Sequence, residues 1–211
     1  QVIRLVSPGL ALTLTDRGAT WLECEVVLPS GERRVVILPR TSIDDASSDR
    51  AFLGATVGRY ANRIADGGWA RGGRPWHLTR APPALHHLHG GPGGFHARTW
   101  SVVQVSDTEA RFSLLSPDGD EGYPGELLVE VTYRLSGPQT IEMLTSATAS
   151  ADTPVALTNH AYFNLDGDAG DVRRHTLQVA AAQFTPVDAG LIPLGGPVPV
   201  EGSGLDFRQA K

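Results

Sequence analysis

The sequence predicts an all-β, mostly antiparallel fold, either a sandwich or a barrel, on three observations. Apolar residues alternate with polar ones at a period of two in several runs, the pattern of a strand that buries one face. Those runs are separated by Pro, Gly, Asn, Asp and Ser, the residues that turn a chain. Nowhere does a 3.6-residue apolar period persist for the ~10 to 12 residues that a helix requires.

Taken in order, Leu10, Leu12 and Leu14 alternate with Ala11, Thr13 and Thr15, so a strand with one buried face is expected there. Trp21 to Leu28 and Arg33 to Leu38 flank Pro29-Ser30-Gly31-Glu32 and read as a hairpin. Trp100 to Val105 and Ala110 to Leu115 repeat the strand pattern. It is clearest in Glu126 to Leu135, where Leu127, Val129, Val131, Tyr133 and Leu135 share one face. Thr140 to Thr148 and Thr176 to Ala181 are the last strands expected. No internal repeat, low-complexity segment or linker interrupts the chain, and its 211 residues suit one large β domain or two small ones.

Composition narrows the function classes. Eighteen basic and 23 acidic residues leave a net charge of −5, with no Lys or Arg run to track a phosphate backbone, so nucleic acid is not an expected partner. No stretch approaches the ~20 consecutive apolar residues of a membrane helix, and no membrane association is expected. A single cysteine, Cys24, excludes an internal disulfide framework and a Cys-based zinc cluster, which makes the cytoplasm the expected compartment.

Three stretches carry candidate chemistry. In Leu157 to Leu165 a histidine, His160, stands between Asn159 and Asn164 and beside Tyr162 and Phe163, before an Asp166-Gly167-Asp168 turn. Imidazole exchanges protons near neutral pH, amides can orient hydroxyl groups, and aromatic faces can pack on the C–H face of a sugar. A buried strand end with its polar groups satisfied internally fits the same residues. The polar, acidic Thr41 to Arg50 leads into Phe52 to Gly67, where Arg59, Asn62 and Arg63 lie between glycines and can be presented as donors to hydroxyls or a carboxylate. Solvated arginines, or a pair with Asp66, are the alternative. His86-His87-Leu88-His89 and His96 concentrate four of the seven histidines around a glycine-rich run. In a strand His87 and His89 would share a face as in a His-x-His metal element, but glycines occupy the positions of a third ligand, and no metal is expected.

Five segments resemble, in order, the motifs of the aldose 1-epimerase (galactose mutarotase) family: GATVGRYANRIADG at 54–67, LHGGPGGF at 88–95 with Trp100, DGDEGYPG at 118–125, LTNHAYFNL at 157–165 and FTPVDAGLIPLGGPVPVEGSGLDFR at 184–208. The resemblance implies a large antiparallel β-sandwich, the galactose mutarotase-like supersandwich, as one domain over 1–211 that lacks the family's C-terminal portion. It implies His160 as the acid that protonates the ring oxygen of a sugar, His89 as a second catalytic histidine in contact with substrate, and Asn62 and Arg63 as ligands of the sugar hydroxyls. The implied reaction interconverts the α and β anomers of a small aldohexose such as galactose or glucose, without cofactor or metal. His86 stands where the family commonly has Asn and His96 where it often has Asp. The family's catalytic glutamate and a substrate-binding aspartate are expected beyond Lys211. Two alternatives stay open: a relative acting on hexose 6-phosphate, which would need a cationic cluster, and a carbohydrate-binding member without turnover.

Overall fold

Strand β1 (Val2–Ser7) turns through Pro8-Gly9 into β2 (Leu10–Thr15), and β3 (Thr20–Val27) and β4 (Arg33–Val35) complete an antiparallel sheet in the order β1-β2-β3-β4 of the computed structural model. The structure describes residues 1–38, 51–167 and 170–211; the Thr41 to Arg50 stretch and Asp168 of the expected turn lie outside the described residues. The hairpin expected around Pro29 to Glu32 is present, with Glu25 opposite Val35 and Val27 opposite Arg33. β2 differs from its expectation, because both of its faces are buried. Leu10, Leu12 and Leu14 enter the core, while Ala11 is also covered. Register supplies the reason: Thr13 lies between Arg4 and Glu23, and Ala11 between Val6 and Glu25. The Arg4 guanidinium reaches Thr13 Oγ1, Glu23 and Glu25 over that face, so long charged side chains shield the short ones beneath.

A run of short pairings follows: β5 (Thr56–Val57), β6 (Arg63–Ile64), the hairpin of β7 (Gly68–Arg71) and β8 (Arg74–His77), and β9 (His87–Leu88). The second long sheet has the order β10 (Ser101–Val105), β11 (Glu109–Ser116), β12 (Leu127–Gly137) and β13 (Thr140–Ala149), all antiparallel. The alternation in β12 is realised in full: Leu127, Val129, Val131, Tyr133 and Leu135 are buried, and the first four register with Ser116, Leu114, Phe112 and Ala110 of β11. The inner faces of the two sheets meet in one cluster. Ile3, Leu5, Leu12, Leu14 and Trp21 of the first sheet pack with Phe112, Leu114, Val129, Val131 and Tyr133 of the second, and Phe95 and Trp100 close the end. The described residues contain no α-helix, only four three-residue 3-10 turns.

β14 (Thr158–Asn159) pairs back with β5, and β15 (Gln183–Phe184) with β16 (Val198–Pro199). The strand expected over Thr176 to Ala181 does not form. Leu177 exchanges both backbone hydrogen bonds with Lys211 and Val179 N–H reaches Phe207 O, but Ala181 N–H folds back on Val179 O and ends the pairing. β1 was not among the expected strands, because Arg4 interrupts a run whose buried members are only Ile3 and Leu5.

Candidate active site

The two-residue ladders bring distant motifs together. β14 places Asn159 opposite Thr56, and the residue that follows is held from both sides: His160 N–H donates to Ala55 O at 2.8 Å and Gly54 N–H donates to His160 O at 3.0 Å. β6 pairs with β9 so that Arg63 lies opposite Leu88, and His89 N–H donates to Asn62 O at 3.0 Å. The result is a pair of imidazoles from two separate loops, with ring centroids 5.0 Å apart and planes at 90°.

The loop of His89 needs glycine. Gly90 has φ +88°, and a Cβ there would lie 1.6 Å from Gly58 O, so only a residue without a side chain lets the two motif loops touch. His89 itself is left-handed at φ +50°, as is Asn62 at +67°. β9 ends at Leu88, so the condition under which His87 and His89 would share a strand face is not met. His87 is fully buried instead, its Nδ1–H donating to Thr79 O and its Nε2 accepting from Tyr123 O–H at 2.6 Å.

Electrostatics make His89 a neutral group. Burial, then the neighbouring His160, His96 and Arg63, push its pKa down to about 4. Asn62 N–H donates to its Nδ1 at 2.9 Å, so the single imidazole proton sits on Nε2. Near neutral pH His89 is therefore a fixed hydrogen-bond donor. Arg63 is half-buried and donates from Nη1 to Asn62 Oδ1 at 3.2 Å rather than acting as an isolated surface charge. All four sequence-predicted site residues, His160, His89, Asn62 and Arg63, come together.

Other candidates are committed to the scaffold. Arg59 is 2% exposed; its guanidinium donates to Ser116 Oγ and to the carbonyls of Ser116, Pro117, Pro124 and Gly125 at 2.8–3.1 Å, which leaves no fork for a ligand. The two asparagines around His160 face inward. Asn159 Nδ2 donates to Gly54 O at 2.8 Å while its Oδ1 accepts from Ala161 N–H, and Asn164 Nδ2 donates to Gly167 O and Gly170 O. Tyr162 is the accessible neighbour: it is 40% exposed and its ring stands 5.2 Å from that of His160, tilted by 34°. His86 Nδ1 accepts from Asp66 N–H at 3.1 Å, outside the histidine pair.

Phe52 is the residue that pattern reading missed. Its ring lies 4.7 Å from His89, 4.7 Å from His96 and 5.8 Å from His160. It also lines a cavity of about 550 Å³ whose other walls include Pro82, Pro83, Leu88 and Pro92. An aromatic just before a Leu-Gly turn carries no chemical signal of its own in a sequence.

A family model described as aldose 1-epimerase matches residues 1–211. The chain is 44% identical over 204 residues to the aldose 1-epimerase of Escherichia coli (strain K12), covering 96% of this chain and 58% of that protein. It is 41% identical over 212 residues to the galactose mutarotase of Rattus norvegicus, covering 99% of this chain and 60% of that one. A crystal structure of an aldose epimerase homologue from C. elegans aligns at a TM-score of 0.94 with 34% identity, over 100% of this chain and 65% of the other. The chain thus spans about three fifths of the length of the curated relatives it matches.

Proposed function

The chain belongs to the aldose 1-epimerase family, and from that premise we propose that it carries the acid side of a site that interconverts the α and β anomers of an aldohexose such as galactose or glucose. The observation that supports this most directly is the perpendicular His89–His160 pair, 5.0 Å apart beside Arg63. Opening a cyclic hemiacetal needs a proton delivered to the ring oxygen while another leaves the anomeric hydroxyl. His160 supplies that proton. His89, neutral and protonated at Nε2, donates a hydrogen bond to the same sugar and steadies the oxygen on which charge develops. Arg63 and Asn62 hold hydroxyl groups, and the exposed face of Tyr162 offers an apolar surface to the sugar ring. Rotation about C1–C2 and reclosure on the other carbonyl face then invert the anomer. No cofactor or metal takes part.

The proton acceptor is a glutamate from outside residues 1–211. Glu121, a carboxylate packed against the 91–93 turn, accepts from Gly93 N–H at 2.6 Å through Oε1 and buries Oε2. The substrate is the expected partner, with no role for nucleic acid or membrane, and the compartment is the cytoplasm, where a lone thiol such as Cys24 stays reduced.

Polarimetry on a longer protein, residues 1–211 extended to the full length of the relatives, tests the assignment. His160→Gln should keep the fold and much of the sugar affinity yet lower kcat by roughly 10²- to 10⁴-fold. Arg63→Ala should instead raise KM strongly, because its contacts hold in ground and transition states alike. Near-normal kcat in His160→Gln would return that histidine to a structural role.

A further inference from the structure

We propose that Phe52 is a positioning residue: its ring seats His89 and His160 against each other and keeps water from the His89 imidazole. The role is stated for the same two histidines as the function proposed above and rests on that reading for its catalytic consequence.

The geometry begins in the backbone. Phe52 has φ +55°, a left-handed conformation that is strained for a bulky L-residue. Such strain persists where the surroundings over-determine the conformation, and here they do. Phe52 O accepts from Ala55 N–H at 3.0 Å, closing a turn whose next members, Gly54 and Ala55, hold the backbone of His160 from both sides. Phe52 and His160 therefore belong to one rigid unit. His89 comes from the other unit, the loop after β9, tied to Asn62.

The Phe52 ring spans the two. It meets His89 at 4.7 Å and 66°, and His96 at 4.7 Å and 78°, both edge-to-face, and it lies over His160 at 5.8 Å and 37°. The groups that face His89 are His160, His96 and Arg63, each able to carry positive charge, and the Asn62 N–H. Phe52 brings an apolar ring to that shell, and desolvation is the largest of the effects that keep His89 neutral. Removing the ring should let water reach His89 and free it to turn, which costs both its tautomer and its place against His160.

Two substitutions in the longer protein separate this role from mere packing. Phe52→Leu keeps an apolar side chain and the same backbone penalty but has no ring. Phe52→Tyr keeps the ring, and the cavity of about 550 Å³ that Phe52 lines has room for its hydroxyl. The readouts are the NMR titration midpoint of the His89 imidazole and the separate values of kcat and KM. In Phe52→Leu the midpoint should climb from about 4 toward 6.5, the ordinary value, and kcat should fall by about 10- to 100-fold with KM far less affected. Phe52→Tyr should match the parent in both. The inference is overturned if folded Phe52→Leu titrates like the parent, or if Phe52→Tyr is as impaired as Phe52→Leu. Should Phe52→Leu fail to fold, the parent and Phe52→Tyr decide: a His89 midpoint near 6.5 in either overturns it, and midpoints near 4 in both support it. The titration needs no turnover, so a parent protein without mutarotation sinks the proposed reaction while the His89 midpoint still judges Phe52.

Discussion

At the scale of single residues, the proposed site includes one imidazole, His89, that is neutral near neutral pH, and this has a consequence for stability. The pKa of His89 is pushed down to about 4 and that of His87 is also lowered, in both cases first by burial. In the unfolded chain both imidazoles bind protons as pH drops through their ordinary value of 6.5, whereas the folded protein refuses a proton at His89 until about pH 4. Between those limits the unfolded state binds more protons, so stability is lost as pH falls across that window and the His89 contribution is exhausted below it. Urea midpoints measured from pH 7 to pH 4 should show the decline. His89→Asn should flatten part of it, and a slope unchanged by that substitution would mean His89 is not the buried neutral group described. The motifs singled out His89, His160, Asn62 and Arg63 from sequence, but not which neighbours serve them. Asn159 and Asn164 left two readings open, orienting hydroxyls or being satisfied internally, because an amide reads the same whichever way it points; their partners are backbone groups, and Asn159 finds one at Gly54, 105 positions away.

At the scale of elements, long strands were legible and short ones were not. β12 announces itself because eleven residues of alternation are enough to show a period of two. β5, β6, β9 and β14 have two residues each, so no period can appear, and only pairing with a partner far along the chain creates them. Arg59 and Arg63 illustrate the cost of that blindness. They are four positions apart between the same glycines, yet one is buried behind the site and the other borders it. Arg59 fastens the end of β11 and the 117–125 loop to the connection between β5 and β6 that leads into Asn62. A lysine cannot reproduce a planar fork that reaches four carbonyls and a hydroxyl. Arg59→Lys should therefore destabilise the protein by about 3 kcal/mol, lowering the thermal midpoint by roughly 10 °C. A loss below about 1 kcal/mol by chemical denaturation would show that these contacts behave like a surface ion pair.

At the scale of the molecule, two sheets share one core, and the acid side of the proposed site sits on the loops that β5, β6, β9 and β14 hold together. The base was assigned to a segment outside residues 1–211, so a protein restricted to those residues should show negligible mutarotation by polarimetry even when folded. Turnover near that of the longer protein would place the base among these residues. β13 carries a related message. Thr145, Ala147 and Ala149 register with the buried Val131, Val129 and Leu127, yet they are themselves exposed, and among the described residues no strand lies on the far side of β13. Half of its amide protons point at β12 and half do not. Dissolved in heavy water, residues 1–211 should take up deuterium along β13 in a comb, fast and slow teeth alternating over Thr140 to Ala149, and in the longer protein the fast teeth should vanish wherever another strand has come to lie alongside.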